Sequence, residues 1–160
     1  MTPQELACCD EKADKAIKVM IISIVGGVIV PAAINWGIVA AAMGTGCVAI
    51  GKCYGFNLTR NDGWKLVKQF ILGAGFMFVA LNVGSKILAI VMQATGMGYA
   101  GGVVLDGIIS AAQAWAVGGC AKEYFRSQAQ GKKASSEKLK QIFRTRFEEY
   151  KKSHKRGENE

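Results

Sequence analysis

The sequence predicts an all-α protein, a helical bundle of apolar helical hairpins followed by a C-terminal basic amphipathic helix. Between Val19 and Ala121 only seven side chains are charged, and five of these lie between Lys52 and Lys68. The chain contains 20 Gly and only 2 Pro, a composition that favours close contacts between helices. No segment shows the strict alternation of apolar and polar residues that indicates a strand.

The length of 160 residues is typical of a single domain with a sizeable core. Changes in charge divide the chain into three parts. Residues 1–18 form a charged N-terminal segment, residues 19–127 an apolar helical-hairpin domain, and residues 128–160 a hinge and a basic amphipathic tail helix. We therefore expect the apolar part either to pack as a bundle or to insert into a membrane.

The first hairpin is predicted from the uncharged stretch Val19–Gly51, which exceeds the 20 or so residues that cross a bilayer. Proline disfavours a helical conformation in the residue before it and is tolerated in a first turn. Pro31 should therefore separate two helices, the second of which ends at Tyr54-Gly55, where glycine can adopt the left-handed cap conformation. Asn57, Thr59 and Asn61 can cap the next helix, near Asp62.

A second hairpin is predicted around the glycine cluster Gly96–Gly102. Each flanking limb is interrupted by one charge, Lys86 before the turn and Asp106 after it. Charges inside apolar segments are expensive unless they are paired, so these two residues are a candidate buried pair. The residues predicted to form structural turns are Pro31, Tyr54, Gly55, Gly96, Gly98, Gly101 and Gly102.

The tail should form a helix capped by Ser135 or Ser136. Apolar residues recur at spacings of three and four, which is typical of an amphipathic helix; they are Leu139, Ile142, Phe143, Phe147 and Tyr150. The helix could fold back onto the bundle, or it could lie on a surface and contact anionic lipid or a partner. In the second case the contacting residues would be Arg144, Arg146, Lys151, Lys152, Phe143 and Phe147.

Charge favours an anionic ligand. The net charge is +8, and from Lys122 onward there are twelve Lys or Arg against six Glu. A basic tail suits lipid headgroups or an acidic partner, although it also serves solubility. We expect anionic membrane lipids as partners and no nucleic acid, and a homo-oligomer is compatible with the apolar surface. Trp36, Trp64 and Trp115 could be interfacial anchors or core residues.

Catalytic chemistry has little support in the sequence. Gly46–Cys53 resembles a phosphate-binding loop but lacks the final Ser or Thr, and Gly96–Gly101 matches the dinucleotide fingerprint without alternating strands and helices around it. His154 is the only histidine, so no zinc-type His/Cys set or catalytic triad can be assembled. We therefore predict no enzyme activity, no catalytic residue, no cofactor and no metal.

Several short motifs together resemble the YcjF-like family of unknown function. They are Val30-Pro31, Tyr54-Gly55, Trp64-Lys65-Leu66-Val67-Lys68, the glycine-rich turn and Glu123-Tyr124-Phe125, and they span Val30 to Arg126. The resemblance implies an α-helical, often membrane-assigned domain that commonly accompanies bacterial GTPase domains. It supplies no catalytic residues, and this chain has Thr95-Gly96-Met97-Gly98 where the family often places a proline.

These observations lead to one expectation and two alternatives. We expect a non-enzymatic membrane-associated protein on the cytoplasmic face of the bacterial inner membrane, acting as an accessory or docking partner of a GTPase. One alternative is a soluble helical interaction module that buries its apolar helices and could form an oligomer. The other is a pore-forming or insertion protein.

Overall fold

The computed structural model of the chain describes residues 1–27, 32–73 and 99–155. Within these ranges the backbone forms five helices and no strand, which confirms the all-α prediction. The helices are α1 (Pro3–Gly27), α2 (Ala32–Cys53), α3 (Arg60–Gly73), α4 (Tyr99–Ala129) and α5 (Ser136–Lys155).

Helix α1 begins with a capping box. The backbone N–H of Glu5 donates to the hydroxyl of Thr2 at 3.2 Å, and the Glu5 carboxylate accepts from the Thr2 N–H at 2.8 Å, so two otherwise unpaired donors are satisfied. The helix then runs without a break through Lys18, where the sequence suggested the end of a separate charged segment. One face of α1 lies in the core along its whole length: Leu6, Ala13, Ile17, Met20 and Ile24.

The end of α2 is fixed by a left-handed glycine. Gly55 has a φ of 84°. Its N–H donates to Lys52 O, and the N–H of Phe56 donates to Gly51 O, both at 3.0 Å. These two bonds form a Schellman motif, which satisfies the last carbonyl groups of a helix. The turn predicted at Tyr54-Gly55 is therefore confirmed.

Helix α3 is capped by Thr59, one of the three residues that the sequence offered. The Asp62 N–H donates to the Thr59 hydroxyl at 3.3 Å, and the Asp62 carboxylate accepts from the N–H and hydroxyl of Thr59 at 3.0 and 2.6 Å. The helix consequently begins at Arg60, two residues before the predicted start.

Helix α4 is the central element of the bundle, since it packs against each of the other four helices. Every residue from Ile109 to Ala121 is buried except Trp115, which is partly buried. A helix that is apolar on all sides is covered either by protein or by lipid. Here other helices cover it, which explains the apolarity that suggested a membrane crossing.

Several predicted turn and pair residues fall at the start of α4 or outside the described residues. Gly101 and Gly102 lie within α4, so the predicted glycine turn does not extend to them; glycine weakens a helix without forbidding it. Pro31, Gly96, Gly98 and Lys86 lie outside the described residues. The backbone of Asp106 belongs to α4, but its side chain is outside the description, and its pairing with Lys86 stays a prediction.

Glycines bring neighbouring helices into direct contact. A Cβ atom added to Gly63 of α3 would overlap the carbonyl oxygen of Gly44 in α2, and one added to Gly46 would overlap the side chain of Met20 in α1. A Cβ atom on Gly118 of α4 would lie 2.8 Å from Ile17. The backbones therefore approach more closely than side chains at these positions would allow, as the small residues in the sequence predicted.

Helix α5 folds back along α4. A second Schellman motif at Gly131, whose φ is 71°, ends α4, and the Ser135 hydroxyl accepts from the Lys138 N–H at 3.4 Å. Phe143 is fully buried and Phe147 is 5% exposed. The interpretation of the tail as a helix folded onto the bundle is therefore confirmed.

Candidate functional site

The first candidate site is a charged ladder between α1 and α4. The Asp14 carboxylate contacts Lys122 Nζ at 2.7 Å, and the Asp10 carboxylate contacts Arg126 Nε at 3.4 Å. The two residues on each helix are four positions apart, so they share one face. The earlier acid of α1 pairs with the later cation of α4, which shows that the two helices are antiparallel. We call the part of the bundle that contains Asp10 and Arg126 the charged end.

Tyr54 joins α2 to this ladder. Its hydroxyl donates a 2.5 Å hydrogen bond to Asp10 Oδ1, while the tyrosine itself is only 4% exposed. Burial raises the pKa of Tyr54 well above its ordinary value, and the hydrogen bond to Asp10 adds to this effect. The hydroxyl therefore keeps its proton at physiological pH, which suits a fixed donor and not a general base.

The buried cysteines lack the features of a reactive site. Cys47 and Cys120 are both buried, and burial raises the pKa of each thiol to about 12. A thiol becomes a good nucleophile or metal ligand only as the thiolate. Residues 1–27, 32–73 and 99–155 contain no group of three or more His, Cys, Asp or Glu side chains arranged to hold a metal ion.

The second candidate site is an open apolar groove between α1 and α2, with a volume of about 550 Å³. Its walls include Val19 of α1 and Ile38 of α2. Small residues of α2 line it between these walls: Ala41, Ala42, Thr45 and Gly46. The small size of these side chains makes the groove, since larger ones would fill the space beside α1.

Exposed aliphatic side chains also occur on α1 and α2, at the groove and elsewhere on α1. Val19, Ile22 and Val25 of α1 are 61%, 70% and 50% exposed, and Ile38 of α2 is 37% exposed. We call these four residues and the groove the α1–α2 face. Val19 and Ile38 line the groove, whereas Ile22 and Val25 lie elsewhere on the exposed side of α1. Several exposed aliphatic side chains on neighbouring helices are typical of a surface that binds protein or membrane. In the described part of the chain, α4 and α5 add no large hydrophobic residue to the exposed surface.

Comparison with known families places the chain in one of them. Residues 13–152 match the family model described as "Domain of unknown function (DUF697)". The chain belongs to this family. No curated protein and no solved structure matches the DUF697 chain. The match agrees with the expectation of a family of unknown function, and the YcjF-like relation and the association with GTPases stay proposals.

Membrane crossing is not supported in the described parts of this DUF697 chain. Among these residues, none of the helices combines the length and the apolarity that a membrane span requires. The membrane insertion that the sequence left open therefore has no spanning helix among these residues.

The motifs that suggested the resemblance occupy two environments. Tyr54 and Phe125 lie in the core at the charged end, where the Phe125 ring packs against Phe56 with centroids 5.3 Å apart. Glu123 pairs with Lys138 of α5. These residues hold the DUF697 bundle together. Trp64, by contrast, is 36% exposed, so the core alone does not account for it.

The residues predicted on α5 to contact lipid or a partner are not equally available. Phe143 and Phe147 are buried in the bundle and cannot contact either ligand in this conformation. Lys151 contacts Glu148 at 3.3 Å and lies over the Phe147 ring. Arg144 and Lys152 are exposed, so these two remain accessible candidates.

Arg146 lies across α4 instead of pointing into solvent. Its guanidinium carbon is 4.7 Å from the centre of the Trp115 ring, and its side chain occupies the space beside Gly119. The Nη1 atom is buried and donates to no acceptor among the described residues. Stacking on Trp115 offsets part of the cost of burying this charge.

Sequence reasoning missed both candidate sites. It assigned Asp10 and Asp14 to a separate charged N-terminal segment and treated Val19–Val25 as part of an uncharged apolar limb. The missed signal was the spacing of Leu6, Ala13, Ile17, Met20 and Ile24, which marks one buried face across the boundary at Lys18. That face fixes which residues of α1 point outward.

Proposed function

We propose that this DUF697 domain is a non-enzymatic helical module that associates with the cytoplasmic face of a membrane through its α1–α2 face. The observation behind this proposal is the exposure of Val19, Ile22 and Val25 beside an open apolar groove. An amphipathic surface of this kind can lie in the bilayer interface with its aliphatic side chains among the acyl chains.

Basic residues next to the face support a membrane as its ligand. Lys18 of α1 is exposed, and so is Lys52 at the end of α2; Lys15 is exposed as well, but its ammonium pairs with Glu11 at 2.8 Å. Lysines beside an apolar surface attract the anionic lipids of a cytoplasmic leaflet. Burial of one exposed aliphatic side chain contributes roughly 1–2 kcal/mol, so the four residues of the face are sufficient for reversible association.

We further propose that a GTPase partner, which the resemblance implies, would contact the outer surface of α5. Helix α5 packs on α4 and α3. The α1–α2 face belongs to the two remaining helices, α1 and α2, which also pack on α4. Arg144 and Lys152 are exposed on α5. A partner bound there would leave the α1–α2 face free for the membrane.

Vesicle flotation tests membrane association. The full chain is compared with the double variant Val19→Ser/Ile22→Ser and with the control Ala7→Ser/Cys8→Ser, which places the same two hydroxyls on exposed positions of α1. We expect the wild type and the control to float with vesicles and the first variant to bind at least about tenfold more weakly, with unchanged circular dichroism.

Two results would contradict the proposal. One is equal flotation of all three proteins. The other is a wild type that does not float with the vesicles but forms a dimer, whereas the Ile22→Ser variant is monomeric. That result would favour the soluble interaction module. Release of a trapped dye by the wild type would instead favour the insertion protein.

A further inference from the structure

Helix α3 presents a second exposed surface whose composition differs from that of the α1–α2 face. Arg60, Trp64, Lys68 and Leu72 are spaced by four and form one ridge along the helix. Arg60 and Lys68 are exposed, Trp64 is 36% exposed and Leu72 is 70% exposed. We call these four residues the α3 ridge. It joins two cations, an indole ring and an aliphatic side chain.

The ridge lies apart from the buried side of α3. The buried side of α3 consists of Gly63, Leu66, Val67 and Phe70, and the Phe70 ring contacts Tyr124 of α4 with centroids 6.0 Å apart. The Lys68 ammonium lies 5.2 Å from the centre of the Trp64 ring, so the long side chain covers part of the indole and pairs with no carboxylate among the described residues. A hydrophobic core therefore explains one side of α3 and leaves the ridge unexplained.

The ridge adjoins the α1–α2 face through α2. The backbone of Trp64 packs against Gly44, with 3.6 Å between the Trp64 nitrogen and the position of a Cβ atom on Gly44. The next residue, Thr45, lines the apolar groove. Charge also distinguishes the ridge, because α3 has three cations, Arg60, Lys65 and Lys68, and a single acid, Asp62.

We infer that the α3 ridge binds the headgroup region of a bilayer that contains anionic phospholipid. The inference rests on the proposed membrane association and adds a second contact surface to it. Tryptophan is enriched at the level of the lipid headgroups, because its amphipathic ring suits a region that is apolar on one side and polar on the other. Arg60 and Lys68 contact lipid phosphates, and Leu72 enters the boundary of the acyl chains. The α1–α2 face supplies most of the apolar contact, and the ridge adds two cations to Lys18 and Lys52 beside that face.

The test compares two charge-matched double variants of the full chain. Arg60→Gln/Lys68→Gln removes the two cations of the ridge. Lys132→Gln/Lys133→Gln removes two cations from the exposed turn between α4 and α5. Binding is measured by flotation with vesicles of phosphatidylcholine alone and with vesicles that also contain phosphatidylglycerol.

The wild type should prefer the anionic vesicles by at least about tenfold. Each cation near an anionic surface contributes a factor of roughly five to ten, so the ridge variant should bind these vesicles about 30-fold more weakly. The control should change by less than about threefold, and neither variant should alter binding to phosphatidylcholine. Trp64→Ala should weaken binding to both kinds of vesicle.

Different results would overturn the inference without overturning the proposed function. Equal losses in the two double variants would show a general effect of net charge, and equal wild-type binding to both kinds of vesicle would remove the lipid preference. In either case the dependence on Ile22 would still support membrane association. If the wild type bound no vesicle but bound an acidic peptide through Arg60 and Lys68, both proposals would fail.

Discussion

The hydroxyl of Tyr54 donates a 2.5 Å hydrogen bond to Asp10, and through it the last turn of α2 is joined to α1. The other oxygen of the same carboxylate contacts Arg126 of α4 at 3.4 Å. Three helices thus meet at one acid at the charged end. The opposite part of α1 ends in exposed aliphatic residues, so the fold separates a polar structural cluster from an apolar surface.

Tyr54→Phe should lower the free energy of unfolding by about 1.5–3 kcal/mol, because it removes a largely buried hydrogen bond to a charged group. Asp10→Ala should cost more, since it leaves the Tyr54 hydroxyl and Arg126 without their acceptor. Glu11→Ala is the control, because its ion pair with Lys15 is exposed and water screens the attraction in such pairs. Urea unfolding gives the three values, and similar effects of Tyr54→Phe and Glu11→Ala would refute the role of this hydrogen bond.

Alkaline pH should weaken the same hydrogen bond. The pKa of Tyr54 is raised in the folded protein, so its contribution to stability is complete below the ordinary tyrosine pKa of about 10 and is lost as the pH rises above it. Any other group that titrates at alkaline pH is also present in the Tyr54→Phe variant and does not affect the comparison. The difference in stability between the wild type and this variant should therefore narrow above about pH 10, whereas a constant difference would contradict the raised pKa.

Gly63→Ala should destabilise the bundle by roughly 2–3 kcal/mol, because the new methyl group would overlap the backbone of Gly44 and force α2 and α3 apart. Gly44→Ala is the matched control on the facing helix. Its Cβ atom would lie 3.6 Å from the nearest atom of Trp64, an ordinary contact, and alanine favours a helix by up to about 1 kcal/mol. Thermal unfolding of both variants tests the prediction, and equal midpoints would show that the close approach is not required.

Phe143→Ala should destabilise the protein by about 3–5 kcal/mol, since it leaves a cavity where α5 packs on α4. Arg144→Ala, at the adjacent exposed position, should change stability by less than about 0.5 kcal/mol. Hydrogen exchange would also show faster exchange along α5 in the first variant only. A stable Phe143→Ala variant would mean that α5 detaches readily and that its apolar stripe is available to ligands.

The sequence predicts those parts of the fold that depend on local chemistry. The glycine after Tyr54 predicts the left-handed cap, and the apolar spacing from Leu139 to Tyr150 predicts the face of α5 that is buried. Thr59 and Ser135 were each among the predicted caps. The caps depend on interactions between residues a few positions apart, and the buried face of α5 follows from a pattern that repeats every three or four residues.

The sequence does not predict the features that depend on which helices are neighbours. An apolar helix looks the same whether lipid or protein covers it, so the central position of α4 is not visible in its composition. The acids of α1 look like a solvated surface until Lys122 and Arg126, more than 100 residues later, are placed beside Asp14 and Asp10. For the same reason the exposure of Ile22 emerges only once the buried side of α1 is known.

Site-specific photocrosslinking to lipid tests the proposed membrane contact most directly. A photoreactive amino acid replaces either Ile22 or Glu11, whose side chains are both 70% exposed on α1. In the presence of anionic vesicles, the account predicts lipid adducts at position 22 and few or none at position 11. Equal amounts of lipid adduct at the two positions would contradict the account. So would a crosslink from position 22 to a second copy of the chain and to no lipid.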